Sequence, residues 1–168
     1  MASSIASRVR AAAVVVVGTV LLAACGGQAG TSTAPTTAPT QRTTPSSNLV
    51  KTATATVQGK SETVLTNSAG MTLYYYSADK GGKVACTGKC ATLWPPLFVP
   101  SGVSTPTGTG VTGTLGAAPD PAGGQVVTYN GWPLYTWVED RKPGDTTGQM
   151  VTDSGGTWFV ATPDMAAT

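Results

Sequence analysis

The chain has 168 residues, a formal net charge of +2, 11% charged residues and no histidine. Arg8 and Arg10 at the amino terminus account for the excess charge, so the rest of the chain lacks the basic stripe of a nucleic-acid binder. Because histidine is the commonest general base and metal ligand, its absence excludes Ser-His-Asp catalysis, histidine zinc sites and histidine haem ligation. We expect no cofactor and no metal site.

The amino terminus has the layout of an export signal, in which two arginines precede an apolar run over residues 11–22. That run is shorter than the roughly 20 residues that a membrane-spanning helix needs. The tetrad Leu22-Ala23-Ala24-Cys25 resembles the bacterial lipobox. The resemblance implies a signal peptide over 1–24 and a lipid on Cys25 that anchors an extracytoplasmic protein to the membrane. The alternative is a secretory peptide cut nearby, with Cys25 an ordinary thiol.

Residues 25–48 are rich in Thr, Pro, Ser and Gly. Such a composition buries too little apolar surface to offset the entropy of ordering. We therefore predict a disordered tether, followed by one folded domain over 49–168.

The domain has strand signals that are short, rich in β-branched and aromatic residues, and bounded by turn residues. They lie at 54–57, 62–66, 72–76, 125–129, 134–138 and 157–160. A short helical turn is predicted near Cys86–Leu93, where Pro95 and Pro96 then stop it. The sequence thus predicts a mostly β fold in a single small domain.

An internal repeat organises this domain into two tandem β-hairpin units. Repeat 1 covers about 57–100 and repeat 2 about 125–163, with a linker loop predicted over 101–124. Each copy reads strand, Asn/Gly turn, then a strand that carries two aromatic residues on one face. These pairs are Tyr74 with Tyr76 and Tyr135 with Trp137. We expect the copies to pack together and to bury these rings with Trp94 and Trp158.

The two copies resemble a family of secreted-repeat bacterial lipoproteins with a Tyr-x-(Phe/Trp/Tyr)-x-x-Asp motif. Residues 74–79 and 135–140 both fit that motif. The segments 86–96, 128–135 and 143–149 look like the same family. The resemblance implies no known biochemical activity. Before the second copy the chain has 117–124 in place of the family's usual basic residue and Asp-Gly.

Cys86 and Cys90 are predicted to form a disulfide, since oxidation is the default for an exported protein. On a helical turn, positions i and i+4 lie about 6 Å apart, within bridging range. The plain interpretation is a local cross-link that restrains the loop before Trp94. Reversible redox use is the alternative.

Asp79 and Asp140 end equivalent strands, and paired carboxylates can perform acid and base chemistry. We favour the plainer interpretation that each carboxylate accepts hydrogen bonds from backbone amides of the loop it opens. We also hypothesise hydrogen bonds from buried tyrosine hydroxyls to these two aspartates.

The four motif aromatics can be a sugar-binding platform, a path for electron hopping, or simply the core. The core is favoured because the domain has few other large apolar residues. We therefore predict a noncatalytic binding or structural module of the cell envelope, with an envelope partner that the sequence does not identify. The alternative is an extracytoplasmic redox or metal-handling accessory that uses Cys86, Cys90 and the aromatic cluster. A hydrolase using the two aspartates ranks last.

Overall fold

A computed structural model describes residues 45–168. The predicted signal peptide, Cys25 and most of the predicted tether lie outside these residues. The elements in chain order are β1 (Asn48–Val57), β2 (Lys60–Asn67), β3 (Tyr74–Tyr76), a 3-10 turn (Lys80–Gly82), α1 (Lys89–Leu93), β4 (Thr107–Thr109), β5 (Leu115–Pro119), β6 (Gln125–Tyr129), β7 (Trp132–Pro133), β8 (Thr152–Asp153) and β9 (Gly156–Val160). The prediction of a mostly β fold is confirmed.

The strands form three small sheets, in the orders β2-β1-β4, β3-β9-β8 and β5-β6-β7. All neighbours are antiparallel except β1 and β4, which run parallel. The sheet of β3 and β9 joins the two repeats, because Tyr74–Tyr76 pair with Val160, Phe159 and Trp158. No helix among residues 45–168 has the length and apolar character needed to cross a membrane.

Three hairpins close through two-residue turns with a left-handed backbone, one of them through Ser154 and Gly155, at φ 55° and 91°, between β8 and β9. Asn130 and Gly131, at φ 50° and 89°, connect β6 to β7 as the Asn-Gly pair predicted. Gln58 and Gly59, at φ 49° and 82°, connect β1 to β2 in the same way. Positive φ at both central residues matches the right-handed twist of the flanking strands.

The segment 101–124, predicted as a linker loop, contains two strands, and that prediction is corrected. β4 adds to the free edge of β1, while β5 pairs with β6 along its whole length. β5 carries Gly116, Ala117 and Ala118 and therefore has almost no intrinsic strand preference. Its conformation comes from pairing with β6, which a local pattern does not reveal.

The strand predicted over 134–138 is also corrected. Within it only Tyr135 forms bridges, one to Tyr74 and one to Pro96. The chain then turns, and the Asp140 amide donates to the Trp137 carbonyl at 3.2 Å. No longer strand forms here, because Tyr74 and Pro96 both pair with this segment at the single residue Tyr135.

The predicted helical turn is present as α1, and its position in the chain agrees with the stop at Pro95. Trp94 follows the helix in a non-helical conformation, and its amide donates to the Cys90 carbonyl at 2.8 Å. This bond fixes the start of the segment that carries Trp94 into the core.

The two repeats pack against each other around an approximate two-fold relation. The amide and carbonyl of Tyr74 bond reciprocally to those of Tyr135, both at 2.9 Å. The Leu65 amide donates to Ala161, and the Val127 amide, at the matching position of repeat 2, donates to Leu97. The segment that follows Trp94 in repeat 1, and the segment that follows Trp158 in repeat 2, each thus bond to a strand of the other repeat. The prediction that the duplicated hairpins share a core is confirmed.

Candidate functional site

A column of four stacked aromatic rings runs through the centre of the domain. The ring centroids of Tyr76 and Trp158 are 4.3 Å apart, those of Trp158 and Trp94 are 3.9 Å apart, and those of Trp94 and Trp137 are 4.1 Å apart. The two central indoles are nearly parallel, with 5° between their planes. Trp137 is partly exposed, whereas the other three rings are buried.

The two remaining motif tyrosines flank this aromatic column edge-on. Tyr74 meets Trp94 at 5.4 Å and 74°, and Tyr135 meets Trp158 at 5.0 Å and 85°. Edge-to-face contacts of this kind are favoured by the ring quadrupoles. Both tyrosines are fully buried. The core interpretation therefore holds for Tyr74, Tyr76 and Tyr135, whose burial also rules them out as a sugar-binding platform. Trp137, which was expected to be buried as well, is partly exposed and packs against the core.

Each motif tyrosine donates its hydroxyl to the aspartate of the other repeat. The Tyr74 hydroxyl donates to Oδ2 of Asp140 at 2.7 Å, and the Tyr135 hydroxyl donates to Oδ2 of Asp79 at 2.7 Å. The hypothesis of buried Tyr to Asp hydrogen bonds is confirmed. That the two bonds cross between the repeats is a new finding.

The other carboxylate oxygen of each aspartate holds the loop that follows it. Oδ1 of Asp79 accepts from the Ala85 amide at 2.7 Å. Oδ1 of Asp140 accepts from the amide and hydroxyl of Thr147 at 2.9 and 2.7 Å. The loop-holding role predicted for both aspartates is confirmed, and each motif aspartate links its own loop to the core of the opposite repeat.

Burial has the largest effect on the pKa values of Asp79, Tyr74 and Tyr135. It raises the pKa of Asp79 to about 6, although the hydrogen bonds from Ala85 and Tyr135 lower it in part. Burial also raises the pKa of Tyr74, with its hydrogen bond to Asp140 and the charge of that residue adding to the effect. The pKa of Tyr135 is raised by burial, then by the charge of Asp79 and the hydrogen bond to it. Both hydroxyls therefore remain protonated and act as donors.

Cys86 and Cys90 are joined by a disulfide, with 5.2 Å between their Cα atoms, as predicted. Both cysteines are buried and belong to the same apolar cluster as Tyr74, Trp94 and Trp158. The bridge closes the turn that leads into α1. Among residues 45–168, no three side chains of the His, Cys, Asp or Glu type come close enough together to hold a metal ion.

A second aromatic cluster lies on the outer side of the β3–β9 sheet. Tyr75 projects opposite to Tyr74 and Tyr76, stacks on Phe159 at 5.4 Å and meets Trp132 at 5.0 Å. All three outer rings are partly exposed. No role was predicted from the sequence for Tyr75, Trp132 or Phe159.

Beside this outer cluster the surface has two adjoining cavities that share Thr162 and Asp164. One, of about 470 Å³, is lined by residues that include Glu62 and Thr63. The other, of about 270 Å³, is lined by residues that include Tyr75 and Trp132. We call the pair the surface groove. Its lining comes from both repeats and from the carboxyl-terminal segment, so no local sequence motif identifies it.

Comparison with known proteins supplies a family and no further relative. No curated protein and no solved structure matches this chain significantly. The family described as "secreted repeat of unknown function" matches twice, over residues 55–97 and 116–162. The second match begins in β5, which agrees with its structural role as the counterpart of β1. Since the two matches cover more than half of its residues, the chain belongs to this family of secreted repeats of unknown function.

Proposed function

We propose that the protein is a lipid-anchored, noncatalytic binding module on the outer side of the cell membrane. The observation that carries the proposal is the burial of the motif. The polar groups of Tyr74, Tyr135, Asp79 and Asp140 all bond to one another or to backbone, away from solvent. Groups held in this way support a scaffold. Recognition is then left to the surface of the scaffold.

The anchor part of the proposal rests on the sequence Leu22-Ala23-Ala24-Cys25 after an export signal. A diacylglyceryl group on the Cys25 sulfur, with a further acyl chain on the new amine, gives the two or more chains that stable anchoring needs. The thioether uses the only cysteine outside the Cys86–Cys90 bridge. In this proposal the partner is an envelope component, and nucleic acid is not a ligand.

The anchor is tested by labelling producing bacteria with radioactive palmitate. We expect label in the wild-type protein and none in Cys25→Ser, which should leave the membrane fraction. The matched control is the double variant Cys86→Ala/Cys90→Ala, which should keep the label. Label that persists in Cys25→Ser, or its absence from the wild type, would overturn the lipid anchor.

A second candidate is an extracytoplasmic redox accessory, favoured by the contact of the disulfide with the aromatic column in one cluster. In this role a dithiol would reduce the bridge to two thiols and become a disulfide itself. Burial of both sulfur-bearing residues opposes such exchange, because the attacking thiolate needs access. Thiol titration of the folded protein in glutathione buffers separates the two candidates: resistance to reduction supports the binding module, and ready reduction supports the accessory.

A further inference from the structure

We propose that the surface groove is a binding site for a neutral oligosaccharide, a role that rests on the proposed function as a binding module. The two cavities that form the groove, of about 470 and 270 Å³, meet at Thr162 and Asp164. Together they are large enough for a ligand of several sugar rings, since small-molecule sites commonly fall between about 300 and 1,000 Å³.

The polar lining matches the hydroxyl groups of a sugar. Asp164 is exposed and Glu62 is partly exposed, and neither carboxylate takes part in the two ion pairs found within residues 45–168. Carboxylates accept strong hydrogen bonds from hydroxyl donors. Thr63 and Thr162 line the same groove with hydroxyls that can both donate and accept. This combination fits a ligand with many hydroxyls and no negative charge.

The aromatic wall supplies the apolar contact that sugar rings need. A pyranose ring has a face of C–H groups, and these pack on the electron-rich face of an aromatic ring. Trp132 and Tyr75 both line the smaller cavity and lie 5.0 Å apart. Phe159 stacks behind Tyr75 and limits its movement. An aromatic wall next to carboxylates is thus built into the groove before any ligand arrives.

The carboxyl-terminal segment is fastened along this wall by side-chain hydrogen bonds. The indole N–H of Trp132 donates to the Ala166 carbonyl at 3.0 Å, and Nδ2 of Asn130 donates to the Met165 carbonyl at 2.9 Å. The Tyr129 hydroxyl donates to the Pro163 carbonyl at 2.8 Å. These bonds preorganise the groove, and preorganisation lowers the entropy that binding costs.

The aromatic wall has no counterpart at the positions that match it in the other repeat. In repeat 1 the position of Trp132 is taken by Met71, and that of Phe159 by Pro95; in repeat 2 the position of Tyr75 is taken by Thr136. The fold therefore does not require aromatic residues at these outer positions. Their concentration beside a groove whose two carboxylates take part in no ion pair points to a ligand.

The charge of the groove disfavours anionic ligands. Two carboxylates repel phosphates of nucleic acids and of anionic lipids, and the cavity-lining residues include no lysine or arginine to offset them. A neutral glycan avoids this repulsion and satisfies both carboxylates. An extended peptide, whose backbone also donates hydrogen bonds, is the competing outcome of the test.

The test measures binding of the purified full-length protein to neutral hexasaccharides of glucose, mannose, galactose and N-acetylglucosamine, followed by tryptophan fluorescence and calorimetry. We expect at least one to bind with a Kd below about 1 mM. Asp164→Asn should weaken that binding about tenfold or more, because a charge-assisted hydrogen bond is lost. Trp132→Met, which installs the residue of the matching position in repeat 1, should weaken it at least as much.

The control variant Glu139→Gln removes an exposed carboxylate of repeat 2 outside the groove and should bind as the wild type does. Failure of every hexasaccharide to bind, preferential binding of an extended neutral peptide, or equal binding by wild type and both groove variants would overturn the glycan proposal. None of these outcomes touches the lipid anchor. A groove-dependent peptide ligand would retain the binding module and reject only the glycan.

Discussion

The two repeats are alike in their buried tyrosines, aspartates and central indoles, and they differ on their outer faces. Three pairs of buried residues occupy matching positions and make matching contacts: Tyr74 and Tyr135, Trp94 and Trp158, and Asp79 and Asp140. On the outer face the correspondence ends, since Trp132 is matched by Met71. The two copies therefore share the contacts of the core and differ in the residues of their outer faces.

The exchange of segments explains why the core residues stay alike. Each tyrosine bonds to the aspartate of the other repeat, and each stacked indole contacts rings from both repeats. A change in one copy alone would leave a partner in the other copy unpaired. Neither repeat has a complete core by itself, so we expect the two to fold as one cooperative unit.

The largest effect should come from removing either central indole. Trp94→Ala and Trp158→Ala should each lower the free energy of unfolding by about 3–5 kcal/mol, because each leaves a cavity inside the aromatic column. Urea denaturation of both variants measures the loss. Trp132→Ala, at a partly exposed ring, is the comparator and should cost clearly less. If only one of the two core substitutions exceeded that comparator, the repeats would not share the core equally.

The next effect, up to about 3 kcal/mol, is a dependence of stability on pH through Asp79. Its pKa is about 6 in the folded protein against an ordinary value of 3.8, so the folded state holds the proton more tightly than the unfolded state does. This stabilisation is fully present below about pH 4 and is lost as pH rises through about 6. Urea midpoints measured from pH 4 to pH 8 should therefore fall with pH.

Asp79→Asn should remove this component of the pH dependence, because the amide does not titrate. Tyr135→Phe should move the transition to higher pH, since its hydroxyl stabilises the ionised carboxylate. Tyr74→Phe is the matched control and should leave the Asp79 transition in place, because it bonds to Asp140. A shift of equal size in both tyrosine variants would argue against the crossed pairing.

The crossed pairing is tested most directly by the stability of these variants. Tyr74→Phe and Tyr135→Phe should each cost about 1.5–3 kcal/mol, since each leaves a buried carboxylate with one partner fewer. A double-mutant cycle between Tyr74→Phe and Asp140→Asn should show a coupling energy of at least about 0.5 kcal/mol. The cycle between Tyr74→Phe and Asp79→Asn should be close to additive. Aspartate variants as stable as the wild type would mean that the bonds contribute nothing.

The sequence predicted the inside of this molecule better than its outside. Alternation along Tyr74–Tyr76 correctly indicated which rings are buried, and the need to satisfy buried hydroxyls correctly indicated aspartate acceptors. Two tyrosines and two aspartates can pair within a repeat or across the repeats. The order of these residues along the chain does not determine the distances between their side chains, so it does not select one pairing. Only the packed structure distinguishes these arrangements.

The features that were not predicted have a common physical cause: each depends on a partner that is distant in the sequence. β5 has small residues with weak strand preference and becomes a strand because β6 pairs with it. The surface groove joins Glu62, Trp132 and Asp164, which are far apart in the sequence. Features that arise from the meeting of remote segments leave no local pattern.

The disulfide gives a smaller expected effect than the central indoles do, and the sharpest contrast between the repeats. Repeat 1 holds the loop after its motif with the Cys86–Cys90 bridge, whereas repeat 2 has no cysteine. Closing so short a loop should stabilise by about 2 kcal/mol on the chain-entropy model. Cys86→Ala/Cys90→Ala should therefore lower the free energy of unfolding by about that amount.

The same variant should lose protection from hydrogen exchange mainly in residues 83–93, because the bridge restrains the turn that leads into α1. The matching loop of repeat 2, over residues 141–151, keeps the two hydrogen bonds that Thr147 donates to Asp140 and serves as the internal control. Equal loss of protection in both loops would mean that the bridge acts only on the stability of the whole domain. A loss confined to repeat 1 would establish that the two copies hold equivalent loops by different chemistry.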